Sequence, residues 1–142
     1  EQTMNQNRKT FVFPPGYRFN PTDKELVLSY LTNKVNGMPL PTHIIDANVY
    51  QHHPDDLLKI CNEQNGKREK AMYLFTQRDR KYANGTRPNR STGNGFWKAT
   101  GADKPIGHER NPIGYKKVLV YYERDSMNPT KSTKTNWIMH EY

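Results

Sequence analysis

Residues 78–104, RDRKYANGTRPNRSTGNGFWKATGADK, interleave basic, aromatic and turn-forming side chains. Seven positive residues, Arg78, Arg80, Lys81, Arg87, Arg90, Lys98 and Lys104, stand against Asp79 and Asp103. Widened to 67–117, the window holds 13 Lys and Arg against 4 Asp and Glu, while the whole chain of 142 residues carries a net charge of only +8. The excess charge is therefore local, and the rest of the chain is close to neutral. A basic segment in such a setting is the footprint expected of a polyanion-binding surface. Charge alone leaves a solvated face equally open. Arginine, four of the seven, favours the binding surface, because its planar fork matches phosphate and guanine edges with paired hydrogen bonds.

Within this run, Phe96-Trp97-Lys98-Ala99-Thr100 between Gly95 and Gly101 reads as a short strand. Alternation places Phe96, Lys98 and Thr100 on one face and Trp97 and Ala99 on the other. The indole and a methyl then point inward. A ring, a cation and a hydroxyl point outward, a set suited to phosphates, base edges and thymine methyls in a duplex groove. Gly93-Asn94-Gly95 predicts a close backbone approach to a partner. As a nucleotide loop it lacks the third glycine, the lysine and the following helix. Asn84-Gly85 is a turn signal, and Pro88 keeps 87–90 out of a helix.

Composition bounds the remaining possibilities. The length fits one domain with a modest core, and 9 Gly and 10 Pro imply many loops. The lone Cys61 excludes an intramolecular disulfide and a cysteine-rich zinc site, which fits a reducing compartment. His43, His52, His53, His108 and His140 lack zinc-finger spacing, and His52-His53 reads as a surface loop. No apolar run is long enough to span a bilayer, and no cofactor is implied.

Along the chain, residues 1–10 read as a disordered polar tail and 11–142 as one domain. Phe11 to Phe19 alternates around Pro14-Pro15 and is confined to a sheet edge, covered by its own domain or paired with another chain. Thr22-Asp23-Lys24-Glu25 is a capping box, and Leu26, Val27, Tyr30, Leu31 and Val35 follow at helical spacing. A helix from about Asp23 to Val35, closed by Asn36-Gly37, is predicted. Ile44-Ile45-Asp46 and Asn48-Val49-Tyr50 read as short extended pieces. Pro54-Asp55-Asp56 opens a second helix, with a polar loop from Asn62 to Lys70. Ala71–Phe75, Gly114–Tyr122 and Thr135–His140 read as strands, with a mobile loop from Glu123 to Lys134.

Four motifs in this order, FPPGYRFNPTDKEL (13–26), RDRKYANGTRPNR (78–90), GFWKATGADKPIG (95–107) and KTNWIMHEY (134–142), closely resemble the DNA-binding domain of the NAC transcription factors of plants. The resemblance covers roughly Phe13 to Tyr142. It implies an α+β fold, a twisted antiparallel β-sheet flanked by a few helices, whose WKATG strand edge enters the major groove at a CACG core, CGTG on the other strand. By the same resemblance Lys81, Arg87 and Arg90 contact phosphates or groove edges, and Phe96, Lys98 and Thr100 line the inserted strand. Lys131 and Lys134 then lie near the DNA backbone or in a solvated loop. Dimerisation is implied through Phe13, Pro14, Pro15, Gly16 and Arg18, with Arg18 bridging Glu25 of the partner subunit; Glu25 also reads as the helix cap. The implied partners are double-stranded DNA and a second copy or a related family member, and the implied compartment is the nucleus. The family's domain normally continues past such a His-Glu-Tyr. This chain departs from the family at Asn20, Lys24, Asp55 (usually Trp) and Phe96 (commonly Tyr).

Two rival readings come from other classes. A sequence-tolerant single-stranded nucleic-acid binder would use Phe96, Tyr82 and Tyr73 as stacking platforms. An enzyme for an acidic substrate would draw on Asp79, Asp103, His108 and Glu109, which no spacing links into an acid–base pair.

Overall fold

The computed structural model describes residues 19–40, 44–65, 71–77 and 90–142. The tail, the segment from Phe11 to Arg18 and the basic run 78–89 lie outside these residues. The organising element is a long strand, β6 (Asn111–Arg124), because three others pair with it antiparallel. β4 (Gly95–Ala99) pairs along 119–123, β5 (Lys104–His108) along 111–116 and β7 (Ser132–Glu141) along 117–124. A two-residue strand β3 (Ser91–Thr92) closes a hairpin onto β4. A separate parallel pair joins β1 (Ile45–Asp46) to β2 (Leu74–Phe75). This is the twisted antiparallel α+β fold expected, with a small parallel pair added.

The core lies on one face of the main sheet. Tyr50, Trp97, Leu119 and Tyr121 are buried together, with Trp137 and Met139 against them. Leu119 and Tyr121 are fully buried. The Tyr121 hydroxyl shares a 2.7 Å hydrogen bond with Thr92 Oγ1, the buried polar side chain of β3, so neither oxygen is left unsatisfied. Gly95 is the contact that lets this happen. A Cβ there would overlap the Tyr121 hydroxyl and the Tyr122 carbonyl oxygen. The close approach expected of Gly93-Asn94-Gly95 is thus to the chain's own β6.

The first helix starts as predicted. The Thr22 hydroxyl accepts from the Glu25 N–H at 3.2 Å, and Glu25 Oε1 accepts from the Thr22 hydroxyl at 3.0 Å and from its N–H at 3.4 Å. The helix is α over Asp23–Glu25, π over Leu26–Leu31 and α again over Thr32–Val35. Thr32 drives the change: its N–H and its hydroxyl both reach the Val27 carbonyl, the hydroxyl at 2.7 Å. One extra residue in the turn rotates the rest of the helix by about 100°. The predicted apolar stripe is broken accordingly. Val27 is buried over Gly114 of β6, whereas Val35 is 76% exposed.

Other boundaries differ from the sequence reading for reasons of pairing. Val49–Gln51 is a 3-10 turn, not extended, because the Asn48 carboxamide accepts from the Tyr50 N–H at 3.3 Å. The second helix runs Pro54–Asn65, beyond the expected loop start at Asn62. Only one face needs to be apolar, and Leu57 and Cys61 supply it one turn apart. His53 begins this helix: its Nδ1 accepts from the Asp55 N–H at 3.1 Å and its Nε2 meets Glu123 at 2.8 Å. The ring is therefore a structural joint between helix and sheet, not part of a free loop. The expected loop 123–134 shrinks because β6 continues to Arg124 and β7 begins at Ser132. The ladder between them slips between Val120 and Tyr122, where the Thr135 hydroxyl donates to the Tyr121 carbonyl at 2.7 Å.

Asp23 ties the first helix to the sheet. Its carboxylate accepts from the Tyr142 hydroxyl at 2.6 Å and from Lys116 Nζ at 2.9 Å, and both hold its pKa below the ordinary 3.8. A depressed carboxylate pKa contributes stability above the unfolded value that is lost as pH falls through the folded one. Between neutral pH and pH below 3.8, Asp23→Asn should therefore lose less stability than the parent chain, read as the change in urea midpoint. Gly95→Ala should destabilise the fold by about 1–3 kcal/mol or more through overpacking. A urea melt of that variant matching the parent would mean that β4 relaxes away from Tyr121 without cost.

Candidate nucleic-acid interface

The strand expected at the centre of the basic run is β4, and its side chains alternate as predicted. Trp97 is buried within the core cluster, Phe96 is half-buried, and Lys98 and Thr100 are exposed. The ladder continues one residue beyond the strand. The Thr100 N–H donates to the Val118 carbonyl at 2.9 Å and its hydroxyl to the same oxygen at 3.3 Å. This places Thr100 in line with Lys98 and Phe96.

Register assembles the rest of this face. Antiparallel partners share a face, so Phe96 lies with Tyr122, Lys98 with Val120, Val120 with Ile138 and Tyr122 with Lys134. Phe96 and Tyr122 stack with centroids 5.5 Å apart and planes 8° apart. Two cations sit over the stack. Arg124 lies 4.9 Å from the Phe96 centroid, and Lys98 Nζ lies 5.8 Å from that of Tyr122. Arg124 Nη1 also donates to the Gly95 carbonyl at 3.3 Å. Between Tyr122 and Arg124 the one acid, Glu123, is held by His53.

The basic residues separate into two groups. Lys34, Lys116 and Lys117 are ion-paired to Asp46, Asp23 and Asp103. Lys98, Arg124 and Lys134 form no salt bridge among the described residues. The outer face of β4 and β6 is thus a ladder of aromatic rings and uncompensated cations, ready for an anionic, planar-edged ligand.

Arg90 is positioned differently. Its carbonyl accepts from the Trp97 N–H at 2.9 Å, and its half-buried guanidinium lies beside the Tyr50 hydroxyl. That hydroxyl donates to Glu141 at 2.6 Å, and burial together with Glu141 pushes its pKa up, against the opposing Arg90 charge. Arg90 Nε is buried without a hydrogen-bond partner among the described residues. Arg90 therefore links the entry to β3 with the core. Lys81, Arg87, Phe13, Pro14, Pro15, Gly16 and Arg18 lie outside the described residues. Glu25 is exposed at the start of the first helix, with Oε1 engaged by Thr22.

Tyr122 and Arg124 were not singled out from the sequence. The signal is the alternation Val120, Tyr122, Arg124, but register with β4 is needed before it means anything. The residues of the enzyme reading do not converge. Asp103 is paired with Lys117, and His108 Nδ1 accepts from the Arg110 N–H at 3.3 Å. Asp79 lies outside the described residues. On the core side, a cleft of about 900 Å³ is lined by Leu26, Leu57, Phe75 and Met139, with Asp23 and Glu141 at its wall. Tyrosine hydroxyls engage both carboxylates. Among the described residues no group of three or more His, Cys, Asp or Glu is placed to hold a metal ion, and no helix is long and apolar enough to cross a membrane.

Comparison with known proteins gives a consistent result. Residues 14–142 match the family described as No apical meristem (NAM) protein. The chain is 48% identical over 138 residues to NAC domain-containing protein 41 of Arabidopsis thaliana, covering 96% of this chain and 48% of that protein. It is 53% identical over 131 residues to NAC transcription factor 32 of the same plant, covering 92% and 49%. To NAC domain-containing protein 71 of Oryza sativa subsp. japonica it is 52% identical over 130 residues, covering 91% and 37%. The chain spans about half or less of the length of these curated relatives. With the third and fourth motifs on the antiparallel sheet, a family match from residue 14 to residue 142 and relatives about half identical over more than nine-tenths of the chain, the chain belongs to the NAM family of NAC-domain proteins.

Proposed function

We propose that this chain is a sequence-specific duplex-DNA-binding domain of a dimeric transcription regulator acting in the nucleus. The observation that carries the reading is the outer edge of β4, where Phe96, Lys98 and Thr100 share one face and Lys98 has no carboxylate partner among the described residues. A strand edge of this kind fits a major groove about 12 Å wide. Trp97, anchored in the core, would keep that edge rigid as it enters. We assign phosphate or groove-edge contacts to Lys81, Arg87 and Arg90, and base-edge or methyl contacts at a CACG core to Phe96, Lys98 and Thr100. The printed name of one relative, NAC transcription factor 32, agrees with this role. No acid–base or nucleophilic constellation among the described residues asks for a catalytic reading.

The single-strand reading is less well supported. Base stacking needs a free ring face, yet the Phe96 ring already stacks on Tyr122 and carries the Arg124 guanidinium. Tyr73 meets Phe19 edge-to-face at 4.8 Å.

Dimerisation is proposed through Phe13 to Gly16, with Arg18 bridging Glu25 of the partner subunit, in a homodimer or with a related family member. Glu25 Oε1 takes the Thr22 hydrogen bonds, leaving Oε2 as the acceptor for an incoming guanidinium.

Lys98→Ala should weaken binding to a CACG duplex by about 1–3 kcal/mol while leaving the thermal midpoint in place. Arg90→Ala should lower both affinity and midpoint, since its guanidinium lies beside Tyr50. Anisotropy titrations against cognate, scrambled and single-stranded oligonucleotides, with melts alongside, decide this; equal binding to all three would overturn groove readout. Arg18→Glu should shift the chain towards monomer by setting two carboxylates against each other, and an unchanged mass in light scattering would remove the bridge.

A further inference from the structure

The cation–aromatic ladder extends past the residues assigned above. Arg124 belongs to β6, not to the basic run, yet it shares the face of Phe96 and Lys98. Its Nη1 hydrogen bond to the Gly95 carbonyl and its position over the Phe96 ring fix the guanidinium at the hairpin end of β4. One of its five donors is used there. No carboxylate within the described residues neutralises it. Lys98 lies opposite Val120, four residues from Arg124 along β6. That separation is about 13 Å of strand, close to the width of a major groove of about 12 Å.

We propose that Arg124 is a further DNA-contacting residue, which grips a backbone phosphate at the groove wall and, through the same side chain, holds Phe96 at the inserted edge. The inference rests on the duplex-binding reading of β4 and adds a contact from a second strand to it. A phosphate is the ligand because the guanidinium sits at the end of the edge, beside the β3–β4 turn and away from Thr100 at the other end. A fork already anchored by one nitrogen reaches such an oxygen with little loss of side-chain freedom.

The test is a salt series of anisotropy titrations, from roughly 50 to 200 mM, on the parent chain, Arg124→Gln, Arg124→Lys and Lys98→Ala. Arg124→Gln should weaken binding about tenfold, equally on cognate and scrambled duplexes, and reduce the slope of log K against log salt by about 0.9. Arg124→Lys should restore the slope. Loss of affinity with the parent slope, and no rescue by Lys, would overturn the phosphate contact and leave Arg124 only a support for Phe96. Parental affinity and slope in Arg124→Gln, with Lys98→Ala weakened, would overturn the proposal alone. Parental binding in both Arg124→Gln and Lys98→Ala would take the duplex reading of this face down with it.

Discussion

The contact between Gly95 and Tyr121 is the constraint on which the rest of the molecule depends. Tyr121 is fully buried, and its hydroxyl must find a partner there. It finds Thr92 on β3, across a gap that only a glycine at position 95 leaves open. The hairpin of β3 and β4 is thereby seated on β6 in one register. Sheet alternation does the rest: with Trp97 committed to the core, Phe96 and Lys98 must face outward. A slip of one residue would exchange the two faces and bury a lysine, at a cost far above that of any surface contact.

Charge contributes to the surface more than to the fold. The exposed pairs, such as Lys34 with Asp46, are worth about 0–1 kcal/mol each, whereas burying a Leu119-sized side chain contributes about 1.5–3 kcal/mol. The pairs matter for another reason. They neutralise Lys116 and Lys117 locally, whereas Lys98, Arg124 and Lys134, which share one face, form no salt bridge among the described residues. Glu123, between Tyr122 and Arg124 in sequence, alternates onto the opposite face and meets His53 at the start of the second helix.

The two proposed surfaces are joined through the first helix and β6. Glu25, assigned to the dimer contact, sits in the capping turn beside Asp23, which binds Lys116 of β6 and Tyr142 after β7. Val27 rests on Gly114 of the same strand. A π turn imposed by Thr32 rotates the C-terminal end of this helix away from the sheet and leaves Val35 in solvent. The helix is thus held firmly at its first turn, the part that carries Glu25.

What could be read from residues alone was whatever depends on near neighbours in the chain. The capping box of Thr22 and Glu25, the proline and acids opening the second helix, and the inward Trp97 against outward Phe96, Lys98 and Thr100 are all local rules, and the local concentration of positive charge is a matter of counting. The π turn, the helix running on to Asn65 and the long β6 beginning at Asn111 escaped because hydrogen bonds and partners set them, and composition does not. Tyr122 and Arg124 became part of the outer face only through pairing with β4, across more than twenty residues of chain. Arg90 was legible as a cation, but its place beside Tyr50 was not. Residue order alone was enough for the family, the local charge and the two faces of Phe96–Thr100, because these rest on near neighbours; which strands meet, and with them which described cations are paired or buried, was settled only by long-range pairing.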